Sequence, residues 1–391
     1  MDLSYSDAER EFQLRARAWL AANVPDRPLA PPYTEVGIAE HRDWEKRLHD
    51  AGYAALHWPD EYGGGGADLV RQALFGEEYL RAGAPQRLNR LALGLAGPTI
   101  IHYGTEVQKA RWLPGMLTCA ELWCQGFSEP EAGSDLAAVR TRATRDGPDF
   151  VLNGQKTWTS LSVFADWMFA LVRTDPDSSG HRGLTFVMVP MRTPGIEVRP
   201  IVQMHGAPGF AEVFLSDVRV PAANVVGEIG SGWAVAMTTL GFERGTGLGD
   251  HVRFARDVEQ LVAIARWAGV ANDPLIRDQI AARYVEVQQF RRYMQRVTTR
   301  LGAGERPGPE ASMTKLFWSE MEARIFETAL YILGPLAEMG DDAWQGVAPG
   351  LHRRYWHARA ARIFAGTSEV QRNIVAERVL GLPREPRCTS T

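Results

Sequence analysis

The stretch Trp123-Cys124-Gln125-Gly126-Phe127-Ser128-Glu129-Pro130-Glu131-Ala132-Gly133-Ser134-Asp135 sets aromatic, amide and hydroxyl side chains close together. Asn153-Gly154-Gln155-Lys156-Thr157-Trp158-Thr159-Ser160 follows about 20 residues later. A flat aromatic flanked by hydroxyls can stack on a planar ring and satisfy its polar edge, as a site for a conjugated cofactor requires. The same residues also read as a strand, a polar loop and a hairpin carrying an exposed aromatic, so their types alone leave both readings open. Gly227-Glu228-Ile229-Gly230-Ser231-Gly232 lacks the glycine order of a dinucleotide fingerprint and is expected to be a tight turn entering a helix. Gly63 to Gly66 reads as a loop. His352 and His357 lie on an Arg-rich segment with no carboxylate at ligand spacing, so no metal site is expected.

These residues need elements to hold them. Up to Leu117 the chain reads as helices: Ser6 and Glu9 resemble a capping box opening a segment to about Ala22, and a second helix is expected near Glu40–Ala51. From Glu121 short β-rich runs appear at Trp123–Phe127, Phe150–Leu152, Trp167–Arg173, Leu184–Val189, Ile196–Pro200 and Glu212–Leu215. Turn residues such as Asn153-Gly154 and Pro194-Gly195 separate them, which predicts an antiparallel sheet or small barrel. After Val225 amphipathic helical runs are expected over Gly232–Trp267, Asp273–Leu301, Pro309–Met339 and Thr367–Leu380, the last with Ser368 and Gln371 as a capping pair. Helices, then strands, then helices predicts an α+β chain of three regions, 1–118, 119–226 and 227–391.

Composition excludes several classes of function. The chain has 391 residues, 45% hydrophobic and 23% charged, as expected of a folded globular protein. The formal net charge is −4, and basic residues are scattered among acids, so no nucleic-acid partner is expected. No run approaches the roughly 18 apolar residues of a membrane span. Lysine occurs only at positions 46, 109, 156 and 315, arginine serving elsewhere. Cys119, Cys124 and Cys388 have no paired spacing, and the N-terminus is no signal peptide, so a reducing, cytoplasmic setting is expected.

Together the two polar-aromatic segments resemble those of the acyl-CoA dehydrogenase family. The likeness extends to Trp58-Pro59 with Glu61-Tyr62-Gly63-Gly64, to Tyr103-Gly104-Thr105-Glu106 with Gln108-Lys109, and to Gly366-Thr367-Ser368-Glu369 with Gln371-Arg372-Asn373. It runs from about residue 3 to 382 in the family's order and spacing. The resemblance implies an N-terminal helical domain, a middle β domain and a C-terminal four-helix domain, with FAD where the last two meet. Gln125, Phe127 and Ser128 would line the flavin ring, Trp158 and Ser160 would pack against other parts of it, and Ser134 would lie near the substrate's pantetheine. Thr367 and Glu369, at a helix N-terminus suited to anions, would approach the ribityl and phosphate region, or simply cap that helix.

The implied reaction desaturates an acyl thioester at Cα–Cβ, a carboxylate taking the Cα proton while flavin N5 takes the β-hydride. In one group of branches the carboxylate precedes the last Gly-Thr, where this chain has Ala365. The isovaleryl-like and long-chain branches carry it on another helix, and Gly241-Phe242-Glu243-Arg244-Gly245 stands at that place. Glu243 is therefore the expected base, against the alternative of an ion-paired surface residue. Four glycines at 241, 245, 247 and 249 each cost a helix up to ~1 kcal/mol relative to alanine, which suits a place where a thioester or a neighbouring helix approaches closely. Burial beside an apolar ligand would raise the Glu243 pKa toward that of a general base. Arg244 would oppose this shift and could hold the CoA arm, and the backbone N–H of Ala365 would polarise the thioester carbonyl.

The resemblance implies an acyl-CoA or acyl-carrier thioester as substrate, an electron-transfer flavoprotein as acceptor, and a homodimer or homotetramer. Two departures bear on assembly. Where many members have Arg, two variable residues, Phe and Gly to reach a neighbouring subunit's cofactor, this chain reads Arg266-Trp267-Ala268-Gly269-Val270, and the adjacent segment reads Leu333-Gly334-Pro335-Leu336. Such changes resemble a bacterial branch acting on steroid side chains and other bulky acyl groups, some of which pair two unlike subunits. Two rivals follow: a non-catalytic or half-site subunit of a hetero-oligomer, colourless until its partner is present, and an oxidase or monooxygenase whose reduced flavin air reoxidises rapidly.

Overall fold

The computed structural model describes residues 5–243, 249–305, 308–309, 311–344 and 346–384, without the side chains of Glu243, Asp341 and Asp342. Two compact units emerge: one of residues 23–68 and 83–246, the other of 1–22, 69–82 and 247–391.

In the first unit, helices α2 (Glu35–Asp50), α4 (Gly97–Tyr103) and α5 (Glu106–Leu117) accompany a seven-stranded sheet. Its strands are β1 (Trp123–Gly126), β2 (Arg142–Asp146), β3 (Asp149–Ser160), β4 (Trp167–Arg173), β5 (Leu184–Pro190), β6 (Ile196–Ile201) and β7 (Phe210–Pro221). The order is β1-β4-β2-β3-β7-β6, with β5 also on β4. Pairing is mostly antiparallel, but β1 runs parallel to β4, and β2 meets β4 through one parallel bridge. The short β2, mostly exposed and carrying Arg142, Arg145 and Asp146, has no apolar run to announce it.

Strands β4 and β5 are buried almost throughout because both faces are covered, so they read as continuous apolar runs. Phe169, Leu171, Phe186 and Met188 join helical residues such as Ile100 and Val235 in one core, while Met168, Ala170, Val187 and Val189 close with Val213 and Val218 in another. Strand β3 corrects the expectation of a turn at Asn153-Gly154. It runs unbroken across that pair by a bulge, and a Cβ at residue 154 would stand 2.7 Å from the Thr141 Cα. Asn153 and Asp217 brace this bulge reciprocally, at 3.0 and 2.9 Å.

The Gly227–Gly232 segment is the expected turn, with left-handed Gly227 and Gly230 ahead of α6 (Gly232–Glu243). A Cβ on Gly232 would lie 2.5 Å from the Thr185 carbonyl carbon, so glycine lets the helix start against β5. Helix α6 is then fixed to α4 by hydrogen bonds between Thr99 and Thr239 (2.8 Å) and between Tyr103 and Thr238 (2.9 Å).

In the second unit, α7 (His251–Trp267), α8 (Pro274–Gly302) and α9 (Ala311–Leu333) pack around Phe254, Phe290 and Phe326, with α10 (Leu351–Ala361) and α11 (Ser368–Ile374) against α9. Helices α1 (Asp7–Asn23) and α3 (Leu69–Arg81) belong here too. Gln13 and Arg17 of α1 hold the buried carboxylate of Glu78 on α3, both at 2.8 Å. The expected run Gly232–Trp267 is two helices, α6 ending at Glu243 and α7 starting at His251. The run to Met339 ends as α-helix at Leu333, where left-handed Gly334 precedes a 3-10 turn. The last helix is capped by Thr367 rather than Ser368: its hydroxyl accepts from the Val370 N–H at 3.2 Å, while Ser368 is buried. Ser6 and Glu9 form the expected reciprocal cap.

Candidate active site

The expected flavin-facing residues fall in two groups, one on each unit. In the β-containing unit, Gln125 lies on β1 opposite Phe169, and Ser128 follows it. The Thr157 N–H donates to the Ser128 carbonyl at 2.9 Å, which brings the Gln125–Ser128 segment beside β3. A second bulge, between Lys156 and Thr159, re-aims β3 at this point. There Trp158 adopts a left-handed backbone (φ 57°) and is 58% exposed, its ring edge-on to Phe210 at 6.1 Å. Left-handed backbone costs a non-glycine residue roughly 1–2 kcal/mol, and a large exposed aromatic gains little from it in the free protein. Strain of this kind persists only where the surroundings over-determine the backbone, and a ligand site is one such place.

The polar groups around Trp158 are open. The side chains of Gln125, Ser128 and Ser160, all partly exposed, form no hydrogen bond among the described residues. The buried Thr159 hydroxyl likewise has no partner among them. An aromatic face with unsatisfied amide and hydroxyl groups fits a flat heteroaromatic cofactor such as a flavin. Phe127 differs from its neighbours. Its ring is 5% exposed and edge-on to Phe169 (5.7 Å) and Phe186 (5.9 Å), so it supports the surface from below.

Ser134 is exposed on the loop that joins β1 to β2. This loop is closed at its base by Glu129, whose carboxylate accepts from the N–H groups of Arg140 (2.6 Å) and Thr141 (2.9 Å). The same carboxylate meets Lys156 at 2.7 Å. Burial pushes the Glu129 pKa up, but the Lys156 ammonium and the Thr141 and Arg140 donors outweigh it and hold the carboxyl below its usual range. Sequence reasoning did not single out this pair. Its signal was present: a chain that uses arginine nearly everywhere keeps a lysine at 156, inside the second polar-aromatic segment.

Glu243 ends α6, in the same unit as Trp158, so the backbone of the expected base is anchored through α4 and β5. Its side chain and Arg244 lie outside the described residues. On the other unit, Ala365 and Gly366 are both left-handed, at φ 54° and 86°. The Gln371 amide donates to the Ala365 carbonyl at 3.0 Å and so fixes this turn, while the Ala365 N–H has no hydrogen-bond partner among the described residues. Thr367 caps α11 and lends its hydroxyl to Glu369, whose carboxyl is held low by its own backbone N–H and by Thr367.

Among the described residues no helix is long and apolar enough to cross a membrane, and no three His, Cys, Asp or Glu gather as a metal site. Cys119 and Cys124 are free and buried, and burial raises both thiol pKa values.

Comparison with known proteins agrees over the whole length. Residues 6–120, 124–218 and 230–380 match the family models for the acyl-CoA dehydrogenase N-terminal, middle and C-terminal domains. The chain is 43% identical over 389 residues to the acyl-CoA dehydrogenase IpdE1 of Mycobacterium tuberculosis, covering 96% of this chain and 98% of that one. A solved structure titled Tcur3481-Tcur3483 steroid ACAD superposes with a TM-score of 0.87 at 32% identity, covering 98% of this chain and 100% of its own. The ChsE4-ChsE5 complex of Mycobacterium tuberculosis gives a TM-score of 0.82 at 31% identity, with the same coverage. The left-handed Trp158 with its open polar neighbours and these full-length matches lead to one conclusion: the chain belongs to the acyl-CoA dehydrogenase family of FAD-dependent oxidoreductases.

Proposed function

We propose that this protein desaturates a bulky, ring-bearing acyl thioester, on CoA or a carrier, to the 2,3-enoyl thioester, with Glu243 as the base. The observation that carries this reading is α6: bound to α4 by two hydroxyl pairs and seated on β5, it ends with the backbone of Glu243 on the unit that bears Trp158. Ala365 has no side chain to act as base, and its unpaired N–H suits a thioester carbonyl. Bound FAD would supply the hydride acceptor. Gln125, Ser128, Trp158 and Ser160 would hold its ring system, with Phe127 supporting them from the core, and Thr367 and Glu369 would serve its ribityl and phosphate region. Ser134 and Arg244 would hold the pantetheine and CoA arm. Relatives named as steroid enzymes support the bulky substrate, and an electron-transfer flavoprotein is the proposed acceptor.

A related second subunit is the accompanying proposal. Relatives whose titles name two proteins support it, as does the Arg266–Val270 segment, which has Gly269 and Val270 where the usual Phe and Gly would follow the Arg. The deciding experiment is an anaerobic flavin titration with short, branched and steroid-like acyl-CoAs, run beside Glu243→Gln. Bleaching in the wild type that falls by about 10²–10⁴ in rate in the variant supports the assignment. Equal bleaching in both removes Glu243 as base. A colourless protein that turns yellow on co-expression with a related subunit moves the assignment to a half-site subunit.

A further inference from the structure

Lysine 156 is fully buried, and its ammonium has three hydrogen-bond acceptors. They are Glu129 Oε1 at 2.7 Å, the Leu171 carbonyl at 2.7 Å and the Phe127 carbonyl at 3.3 Å. An ammonium carries three donors pointing to three corners of a tetrahedron, so each has one acceptor here. A planar guanidinium has a different fork, and this explains a lysine in a chain that otherwise prefers arginine. Each acceptor lies on a different piece of the site. Phe127 lies within the Gln125–Ser128 segment, Leu171 is in the middle of β4, and Glu129 closes the loop that carries Ser134 through the N–H groups of Arg140 and Thr141. Lys156 itself begins the bulge that exposes Trp158, and the neighbouring Thr157 N–H is bound to the Ser128 carbonyl.

We propose that Lys156 and Glu129 are a positioning pair: one buried contact sets both the flavin-facing segment with Trp158 and the loop that presents Ser134 to the thioester. The flavin and thioester parts of this statement rest on the function proposed above, whereas the bracing of the loop does not. The same end of the loop has a second anchor. Arg173 donates to the carbonyls of Val139 (3.1 Å), Ala137 (3.0 Å) and Arg182 (2.9 Å), so loss of its side chain would loosen the loop while leaving the three acceptors of Lys156 in place. A buried pair replaced as a unit by neutral groups is often tolerated in stability, whereas removing one partner strands the other. Positioning can therefore be separated from folding.

The test compares wild type with Lys156→Arg, the double variant Glu129→Gln/Lys156→Met, and Arg173→Gln. The readouts are FAD dissociation constant, the visible spectrum of bound flavin, thermal melt, and amide hydrogen exchange at Arg140, Thr141 and Thr157. The expected double variant is folded, exchanges these three amides at least tenfold faster, binds FAD at least tenfold more weakly, and shows an altered flavin spectrum. Lys156→Arg is expected to show the same losses, because it keeps the charge and loses the geometry. Arg173→Gln should leave FAD affinity within twofold. A folded double variant with wild-type exchange, or with wild-type FAD affinity and spectrum, overturns the pair's role, as does wild-type behaviour of Lys156→Arg in all of these readouts. If wild type binds no flavin alone or with a partner subunit, the functional assignment fails, and the exchange rates alone still decide whether the pair braces the loop.

Discussion

At the scale of single residues, backbone strain coincides with an exposed aromatic ring at Trp158. Trp158 has a left-handed backbone and an exposed ring, so the free protein bears a cost against which its ring has the edge-on contact with Phe210. Glycine tolerates that backbone freely. Trp158→Gly is therefore expected to leave the melting temperature of the flavin-free protein unchanged or higher while weakening FAD binding about tenfold or more. Unchanged FAD affinity would show that the ring serves something else. Left-handed Ala365 is the counterpart on the other unit, a turn pinned by Gln371 with its N–H left open.

Among elements, close backbone approach explains part of the glycine run near the expected base. A Cβ on Gly249 would lie 2.6 Å from the Glu77 nitrogen and 2.6 Å from the Gly76 carbonyl carbon, both backbone atoms of α3. At this position the glycine makes room for a neighbouring helix. Gly249→Ala forces the two segments apart and is expected to destabilise by about 1–3 kcal/mol, read as a lowered melting temperature with the same denaturant slope. A variant as stable as wild type would mean that α3 yields easily. Gly241, by contrast, meets nothing within 4 Å, so packing gives no reason for it.

For the whole molecule, stability is expected to depend on acid pH through His251. Burial first, then the charges of Arg291 and Arg81, press its pKa from 6.5 to about 4. As pH falls below 6.5 the unfolded chain takes up this proton while the native protein resists it. The contribution is fully present above about 6.5 and lost as pH falls toward 4, up to ~3 kcal/mol. Melting curves from pH 4 to 7 should therefore fall more steeply on the acid side for wild type than for His251→Phe. Parallel curves would exclude His251 as the origin. Nearby Glu77, with Oε1 3.7 Å from the His251 ring, offers only weak compensation on protonation.

Local pattern in the sequence specifies the order helix, strand, helix, the apolar runs of β4 and β5, the Gly227–Gly232 turn and the family motifs, because each depends on residues close together in the chain. Tertiary structure alone decides the rest. Asn153-Gly154 looks like a turn by composition, but pairing with β7 carries β3 straight through it as a bulge. Helices α1 and α3 join the C-terminal helices, since the partners of Glu78 and the gap beside Gly249 come from distant parts of the chain. Position 156 could be singled out by its rare lysine, yet its role depends on carbonyls 29 and 15 residues away. Only folding brings those acceptors to one ammonium, and its three directed donors explain the choice of lysine.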